Sequence, residues 1–128
     1  MDWTNLIADE DWWLDKHYTP GRGGRRIDKT IIHHNAGRLS LKGCYDVWQT
    51  RPASAHYQVD VDGRIGQYVH DWDTSWNAAN TDANQTSIAI EHANSTTPDS
   101  PVTGATLESG AHLVAAIHRH YDLGRPAW

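Results

Sequence analysis

The sequence lacks the features that mark several large classes of protein. It has one cysteine, Cys44, which excludes an internal disulfide and a thiolate cluster for structural zinc. No run approaches the roughly 20 apolar residues of a membrane-spanning helix, and the first residues lack the basic and apolar regions of a signal peptide. We therefore expect no membrane span and no signal peptide, and the sequence leaves the localisation unknown.

Basic residues are also few, since 11 Lys and Arg stand against 16 Asp and Glu for a formal net charge of -5. Binding to a nucleic-acid backbone needs clustered Lys and Arg, so we expect no nucleic-acid partner. Phenylalanine is absent, whereas there are seven tryptophans and nine histidines. Tryptophan and histidine in a groove suit carbohydrate or peptide ligands, although most tryptophans in a small domain belong to the core.

At 128 residues the chain has the length of one domain. Residues 1–26 are rich in Trp, Asp, Gly and Arg and end in a turn-forming segment, which predicts an irregular N-terminal arm. The remaining residues, 27–128, form the predicted folded domain. Its first segment, 27–34, is short and rich in β-branched residues, and it predicts a buried central strand.

The middle of the chain predicts a helix and a hairpin. Ser40 can cap a helix over residues 41–50. Two alternating segments, 56–61 and 64–69, flank Asp62-Gly63, which predicts a two-residue hairpin turn between two strands.

The second half predicts a loop, a strand and a helix. Residues 71–85 show no periodicity and predict a long polar loop, and residues 86–92 predict a short apolar strand. A helix of roughly four turns follows. Its predicted apolar face consists of Leu107, Ala111, Val114, Ile117 and Tyr121. This order of elements predicts an α/β fold with a central mixed β-sheet flanked by helices.

A histidine pair and one glutamate are candidates for chemistry. His33 and His34 end a predicted strand, where neighbouring side chains point to opposite faces, so only one ring can serve a given site. Glu91 follows a run of apolar strand residues. A carboxylate there is costly unless it is paired, lies in a cleft, or acts as an acid or base.

Taken in order, four segments resemble the N-acetylmuramoyl-L-alanine amidases of the type-2 family. That family includes phage endolysins, bacterial cell-wall amidases and peptidoglycan recognition proteins. The segments are IIHHNAG at 31–37, SAHY at 54–57 with DGRIGQ at 62–67, SWNA at 75–78, and SIAIE at 87–91. The resemblance runs from about residue 27 to the end of the chain and depends on the combination and spacing of these segments.

The resemblance implies a peptidoglycan hydrolase that uses zinc to cleave the amide between N-acetylmuramic acid and L-alanine. It makes His33 the first zinc ligand and Glu91 the catalytic residue that activates water, with bacterial peptidoglycan as the partner. The substrate-binding residues that it implies are His34, Asn35, His56, Trp76 and Asn77. An endolysin of this family would be released to the cell wall without a signal peptide.

Three departures from the family pattern modify this expectation. Ala55 stands where some members have tyrosine, and Asn77 stands where histidine is frequent. The family's two other zinc ligands are expected beyond Trp128, after the last helix. Catalytic zinc needs three protein ligands, so we expect a domain without its C-terminal segment, which by itself binds zinc weakly or not at all and is inactive.

Two other functions stay open. The same fold could bind muropeptides without cutting them, although a pure binder has no need of the Glu91 carboxylate. A sheet edge uncovered by a missing segment could instead drive oligomerisation. The histidines of the last helix are expected to be solvated or to lie near its C-terminus, where positive charge is favourable; they are His112, His118 and His120.

Overall fold

The computed structural model describes residues 1–94 and 101–127. The strands are β1 Glu10–Asp11, β2 Tyr18–Thr19, β3 Lys29–His34, β4 Tyr57–Val59, β5 Ile65–Gln67, β6 Thr74–Ser75 and β7 Ser87–His92. The helices are α1 Leu41–Thr50, α2 Thr81–Thr86 and α3 Gly104–His120. No helix in these described ranges combines the length and apolarity needed to cross a membrane.

A five-stranded mixed sheet forms the centre, in the order β1-β5-β4-β7-β3, and β2 pairs with β6 in a small second sheet. Strand β7 runs parallel to both of its neighbours, while β4 and β5 form an antiparallel hairpin. Side chains of β7 alternate between two cores, with Ile88 and Ile90 packed beside α3 and Ala89 packed beside α1. The predicted α/β fold with a mixed sheet flanked by helices is confirmed.

The prediction that residues 27–34 form a buried central strand was wrong about where the strand lies in the sheet. Among the described residues β3 pairs with β7 alone and lies at the edge of the sheet, and 45 % of the surface of Ile32 is exposed. Strand β7 holds the central place instead. A β-branched run favours extended backbone but does not determine where the strand lies in a sheet. Pairing of this edge with another chain stays a prediction.

The predicted hairpin is confirmed, but its turn differs from the prediction. Val59 pairs with Ile65, and the N–H of Asp60 donates to the carbonyl of Arg64 at 2.8 Å. This register leaves a three-residue loop, 61–63, with Gly63 at a φ of 85°. A three-residue hairpin loop needs its last residue in the left-handed region, which glycine occupies without steric cost.

Helix α1 has the predicted bounds, and the Ser40 hydroxyl accepts the N–H of Gly43 at 3.0 Å, as the capping prediction required. Residues 71–85, predicted as a polar loop, contain β6 and most of α2, so that prediction was wrong. The Asn80 side chain caps α2 by accepting the N–H of Ala83 at 2.9 Å. A helix of six residues is too short to show an apolar period.

Helix α3 is present as predicted, but its buried face is rotated relative to the predicted one. The buried residues are Thr106, Gly110, Leu113, Ala116 and Ile117. Leu107 and Ala111, predicted to face the core, are exposed. The contact face includes a glycine because α3 passes directly over His92. A β-carbon built on Gly110 would lie 2.3 Å from Nε2 of that ring.

The N-terminal segment contains only two strands of two residues each, and it packs against the rest of the chain. Strand β1 extends the sheet beside β5, and β2 pairs with β6. Leu6 and Leu14 are buried in the two hydrophobic clusters. Residues 1–26 therefore share the core of the remaining chain.

The close approach of α3 predicts that Gly110→Ala destabilises the protein. Overpacking of this kind costs roughly 1–3 kcal/mol, because the buried His92 ring is held by a hydrogen bond to the His33 carbonyl and cannot move freely. Urea unfolding measures the change. Ala111→Gly on the exposed side of α3 is the control and should cost up to about 1 kcal/mol through helix propensity alone. A stabilised Gly110→Ala protein would contradict the packing described here.

Candidate active site

The candidate site lies where the parallel strands β3 and β7 end side by side. His33 and Glu91 are register partners, so their side chains project from the same face of the sheet. His34 and His92 are the next pair and project from the other face. The pairing therefore brings together the first histidine of the doublet and the glutamate. Polar groups at the carboxyl ends of parallel strands are in the usual position for a site in an α/β sheet.

The Glu91 carboxyl is largely buried. Burial raises its pKa above the ordinary value, and positive charge on His33, His34 and Arg51 acts in the opposite direction. Among the described residues, its buried oxygen Oε2 has no hydrogen-bond partner. An unpaired buried oxygen costs about 1–3 kcal/mol, and a catalytic role or a bound water or ion is among the explanations for such an atom in a folded protein.

Asn77 lies next to His33 in the candidate site. Its Oδ1 lies 3.3 Å from Nε2 of His33, and its Nδ2 donates to the Ser75 hydroxyl at 3.0 Å. The backbone N–H groups of Asn77 and Ala78 donate to the side chain of Asn84. An amide oxygen only accepts hydrogen bonds, so this contact favours the His33 tautomer that carries its proton on Nε2. In that tautomer Nδ1 is the nitrogen with a free lone pair.

Three other residues expected to bind substrate lie on or near the surface. His34 is exposed, with its Nδ1 3.2 Å from the Asn94 amide. Asn35 is half-buried, and its amide contacts the buried Gln58 in β4. Trp76 is 38 % exposed and donates its indole N–H to the Thr19 hydroxyl at 2.9 Å.

His56 was expected to line the substrate groove, and its position in the structure contradicts that expectation. The ring is fully buried, and burial lowers its pKa to about 3, so it is neutral. Its Nδ1 accepts the N–H of Ala89 at 3.1 Å, and its Nε2 lies 3.0 Å from the carbonyl of Asp73. Both ring nitrogens are thus engaged with backbone groups inside the core.

Arg22 was not identified from the sequence as a residue of this region. Its guanidinium is buried, lies 3.1 Å from Nε2 of His56, and donates to three backbone carbonyls. These are Asp71 at 2.7 Å, Gln85 at 2.8 Å and Ser87 at 3.0 Å. The arginine thereby ties the segment around residue 71 to the start of β7. Its only sequence signal was a position between glycines.

The described residues do not form a complete metal site. No group of three or more His, Cys, Asp or Glu side chains within residues 1–94 and 101–127 is arranged to hold an ion. His118 contacts Thr30 and the carbonyl of Gly124, and His112 packs edge-on against Trp3. A catalytic zinc needs three protein ligands, so His33 and its described neighbours do not by themselves satisfy that requirement.

The role of Arg22 predicts that Arg22→Ala lowers the free energy of unfolding by about 3 kcal/mol, because three carbonyls lose their shared donor. Arg22→Lys should recover little of this loss, since one ammonium cannot reproduce the planar guanidinium fork. Thermal and urea unfolding measure both. Arg26→Ala removes an exposed arginine nearby and should change stability by less than about 0.5 kcal/mol. Equal effects at the two positions would contradict the assignment.

Comparison of the sequence with known protein families identifies one that matches. The family described as Amidase_2, N-acetylmuramoyl-L-alanine amidase, matches residues 23–127. No curated protein sequence matches the chain.

Several solved structures share the fold. A mutant endolysin from Bacillus subtilis matches with a TM-score of 0.71 at 16 % sequence identity. The match covers 92 % of this chain and 80 % of the endolysin chain. A selenomethionine derivative of AmpD has a TM-score of 0.70 and 19 % identity, covering 94 % and 79 %.

A third structure contains a ligand. The N-acetylmuramyl-L-alanine amidase AmiD from E. coli is in complex with the substrate anhydro-N-acetylmuramic acid-L-Ala-D-γ-Glu-L-Lys. Its TM-score is 0.62 at 23 % identity, with 82 % of this chain and 46 % of AmiD covered. The fold agrees with that of these amidases, and the family match spans most of the sequence. The chain belongs to the N-acetylmuramoyl-L-alanine amidase family, Amidase_2.

Proposed function

We propose that the domain formed by this chain acts on bacterial peptidoglycan and, with its zinc site complete, hydrolyses the amide between N-acetylmuramic acid and the L-alanine of the stem peptide. The observation that supports this most directly is the pairing of His33 with Glu91 at the ends of β3 and β7. The unpaired buried oxygen of Glu91 is a second sign of function, because folding alone gives no compensation for it.

Glu91 is the residue that would move protons in this reaction. A carboxyl group whose pKa is raised by burial is suited to accept a proton from an attacking water and to pass it to the leaving amine. No described residue donates a hydrogen bond to its Oε2, which leaves a lone pair of the carboxyl free to accept a proton. Asn77 holds the neighbouring His33 ring in one orientation through Nε2.

The substrate class follows from the family and from the AmiD complex, which holds a muramic acid linked to a short peptide. We propose that the surface residues around the pair contact the same kind of ligand; they are His34, Asn35, Trp76 and Asn77. His56 is left out of this set because its ring is fully buried. The bacterial cell wall is then the place of action, and release in the manner of an endolysin is part of the proposal.

Zinc dependence is a further part of the proposal, with His33 as one ligand. The described residues provide no three-ligand group, so the other ligands would have to come from elsewhere. We therefore expect the 128 residues alone to hold zinc weakly and to be inactive or nearly so.

A second candidate function is a module that binds muropeptide without cutting it. The absence of a three-ligand group in the described ranges favours this alternative, whereas the buried carboxyl of Glu91 favours the enzyme. The enzyme needs the Glu91 carboxyl to release a product, whereas the binding module does not.

The enzyme proposal predicts that, in a longer form of the chain that carries the family's remaining zinc ligands, Glu91→Gln reduces amide hydrolysis by about a hundredfold or more, because glutamine cannot accept the proton. Peptidoglycan is incubated with the protein and zinc, and new L-alanine amino termini are quantified by mass spectrometry. Glu108→Gln, an exposed substitution on α3, should leave the rate unchanged. Binding of muropeptide without any release of peptide by the longer form would favour the second candidate.

The zinc proposal predicts less than one equivalent of metal in this chain after dialysis, because one histidine beside one carboxylate is an incomplete ligand set. Elemental analysis of the purified protein measures the ratio of zinc to chain. His33→Ala should abolish whatever binding remains, and the exposed His120→Ala should not. A full equivalent of tightly held zinc would contradict this expectation.

A further inference from the structure

Three aromatic rings form a column on the surface, away from the candidate active site. The His70 ring stacks on Trp13 with centroids 3.8 Å apart and planes 20° apart. It also stacks on Trp72, with centroids 4.3 Å apart and planes 8° apart. Two indoles cannot occupy the same face of one imidazole at these distances, so the histidine lies between them. We call this group the aromatic column.

Both tryptophans of the aromatic column are open to solvent. Trp72 is 67 % exposed and Trp13 is 39 % exposed, and neither belongs to the two buried hydrophobic clusters. Within the part of the chain that the structure describes, His70 is the one ring stacked on Trp72. An exposed group of large aromatics is a marker of a binding surface rather than of core packing.

The backbone under Trp72 is fixed from both sides. The preceding residue, Asp71, accepts hydrogen bonds from Tyr57 at 2.9 Å and from Tyr121 at 2.6 Å. The following residue, Asp73, donates its N–H to the carbonyl of His70 and accepts the N–H of Gly21 at 2.7 Å. Trp72 therefore projects from a rigid turn, and a ligand would not have to order it. Preorganisation of this kind raises affinity.

Charge and ring shape favour an uncharged sugar as the ligand. The net charge is -5, and exposed Asp11 and Asp15 flank Trp13 in the sequence. These carboxylates would repel an anionic polymer, but they can accept hydrogen bonds from hydroxyl and amide N–H groups. The flat indole face offers dispersion contacts to the C–H groups of a pyranose ring. N-acetylated hexosamines combine both kinds of group.

The aromatic column is linked to the candidate site by one short segment of the chain. The chain runs from Trp72 through β6 to Trp76 and Asn77, and Asn77 contacts His33. Five residues of extended chain span at most about 18 Å, which limits the distance between Trp72 and the residue that contacts His33. A polymeric substrate could contact both places at once, which raises its effective affinity.

We propose that the aromatic column of Trp13, His70 and Trp72 is a second binding site, distinct from the His33–Glu91 site, for the N-acetylhexosamine glycan strand of peptidoglycan. This inference rests on the proposed function, because that function supplies the polymer. The column holds the strand, and the site at the ends of β3 and β7 acts on the peptide branch.

Co-sedimentation with purified, insoluble peptidoglycan tests the proposal. Trp72→Ala should raise the apparent Kd about fivefold or more, because truncation of a central aromatic contact typically has at least this effect. Trp72→Phe keeps a ring face and should lie between Trp72→Ala and wild type. Leu107→Ala removes a comparably exposed apolar side chain on α3 and is the matched control, with an unchanged Kd. Circular dichroism checks that each variant is folded.

A tetramer of N-acetylglucosamine provides a soluble probe for the wild-type chain. Its addition should shift the indole N–H resonances of Trp13 and Trp72 in NMR spectra more than those of the other tryptophans. Equal Kd values for Trp72→Ala and Leu107→Ala, or no response to the tetramer, would overturn the proposal. So would shifts produced by choline chloride alone, since those would indicate a cation site.

These measurements do not depend on catalysis. Binding that is weakened by Trp72→Ala supports the aromatic column whether or not the wild-type chain, which we expect to be inactive by itself, releases peptide. Release of peptide together with unchanged binding by Trp72→Ala would support the hydrolase and would overturn the aromatic column as a binding site.

Discussion

The parallel pairing of β3 with β7 is the interaction on which the candidate site depends. Because the register matches His33 with Glu91, two residues far apart in the sequence meet on one face of the sheet. A shift of one residue would send one side chain to each face and separate them. The register is supported by β7, which is central, buried on both faces and paired on both sides. By packing β7 into both cores, the apolar residues before Glu91 thus fix the position of that carboxylate.

Around this pairing, buried polar groups connect parts of the chain that are far apart in the sequence. Arg22 brings the N-terminal segment, the carbonyl of Asp71 and the first residue of β7 to one point. Asp71 in turn accepts hydrogen bonds from tyrosines on β4 and just after α3. Burial raises the pKa of that carboxyl while the two tyrosine bonds lower it. The same residues support the rigid turn that carries Trp72.

The sequence predicted elements best where the signal was local. Ser40 marked the start of α1 because a cap is defined within four residues, and Asp62-Gly63 marked a hairpin for the same reason. The edge position of β3 and the rotated face of α3 were missed because both depend on which surface packs against which. His56 and Arg22 were misjudged or overlooked for a similar reason. Their roles come from distant carbonyls that no local pattern reveals.

The contact between Gly110 and His92 links the helix layer to the site. The ring that fills the space of the missing side chain also bonds through Nδ1 to the carbonyl of His33, at 2.9 Å. The distance between α3 and the sheet is therefore set by His92, which also holds the backbone of His33, the proposed zinc ligand. Positions 92 and 110 form a coupled pair in which a larger residue at one requires a smaller one at the other. In this chain, the residue that can stand at position 110 of α3 is thus constrained by a hydrogen bond made on the strand side.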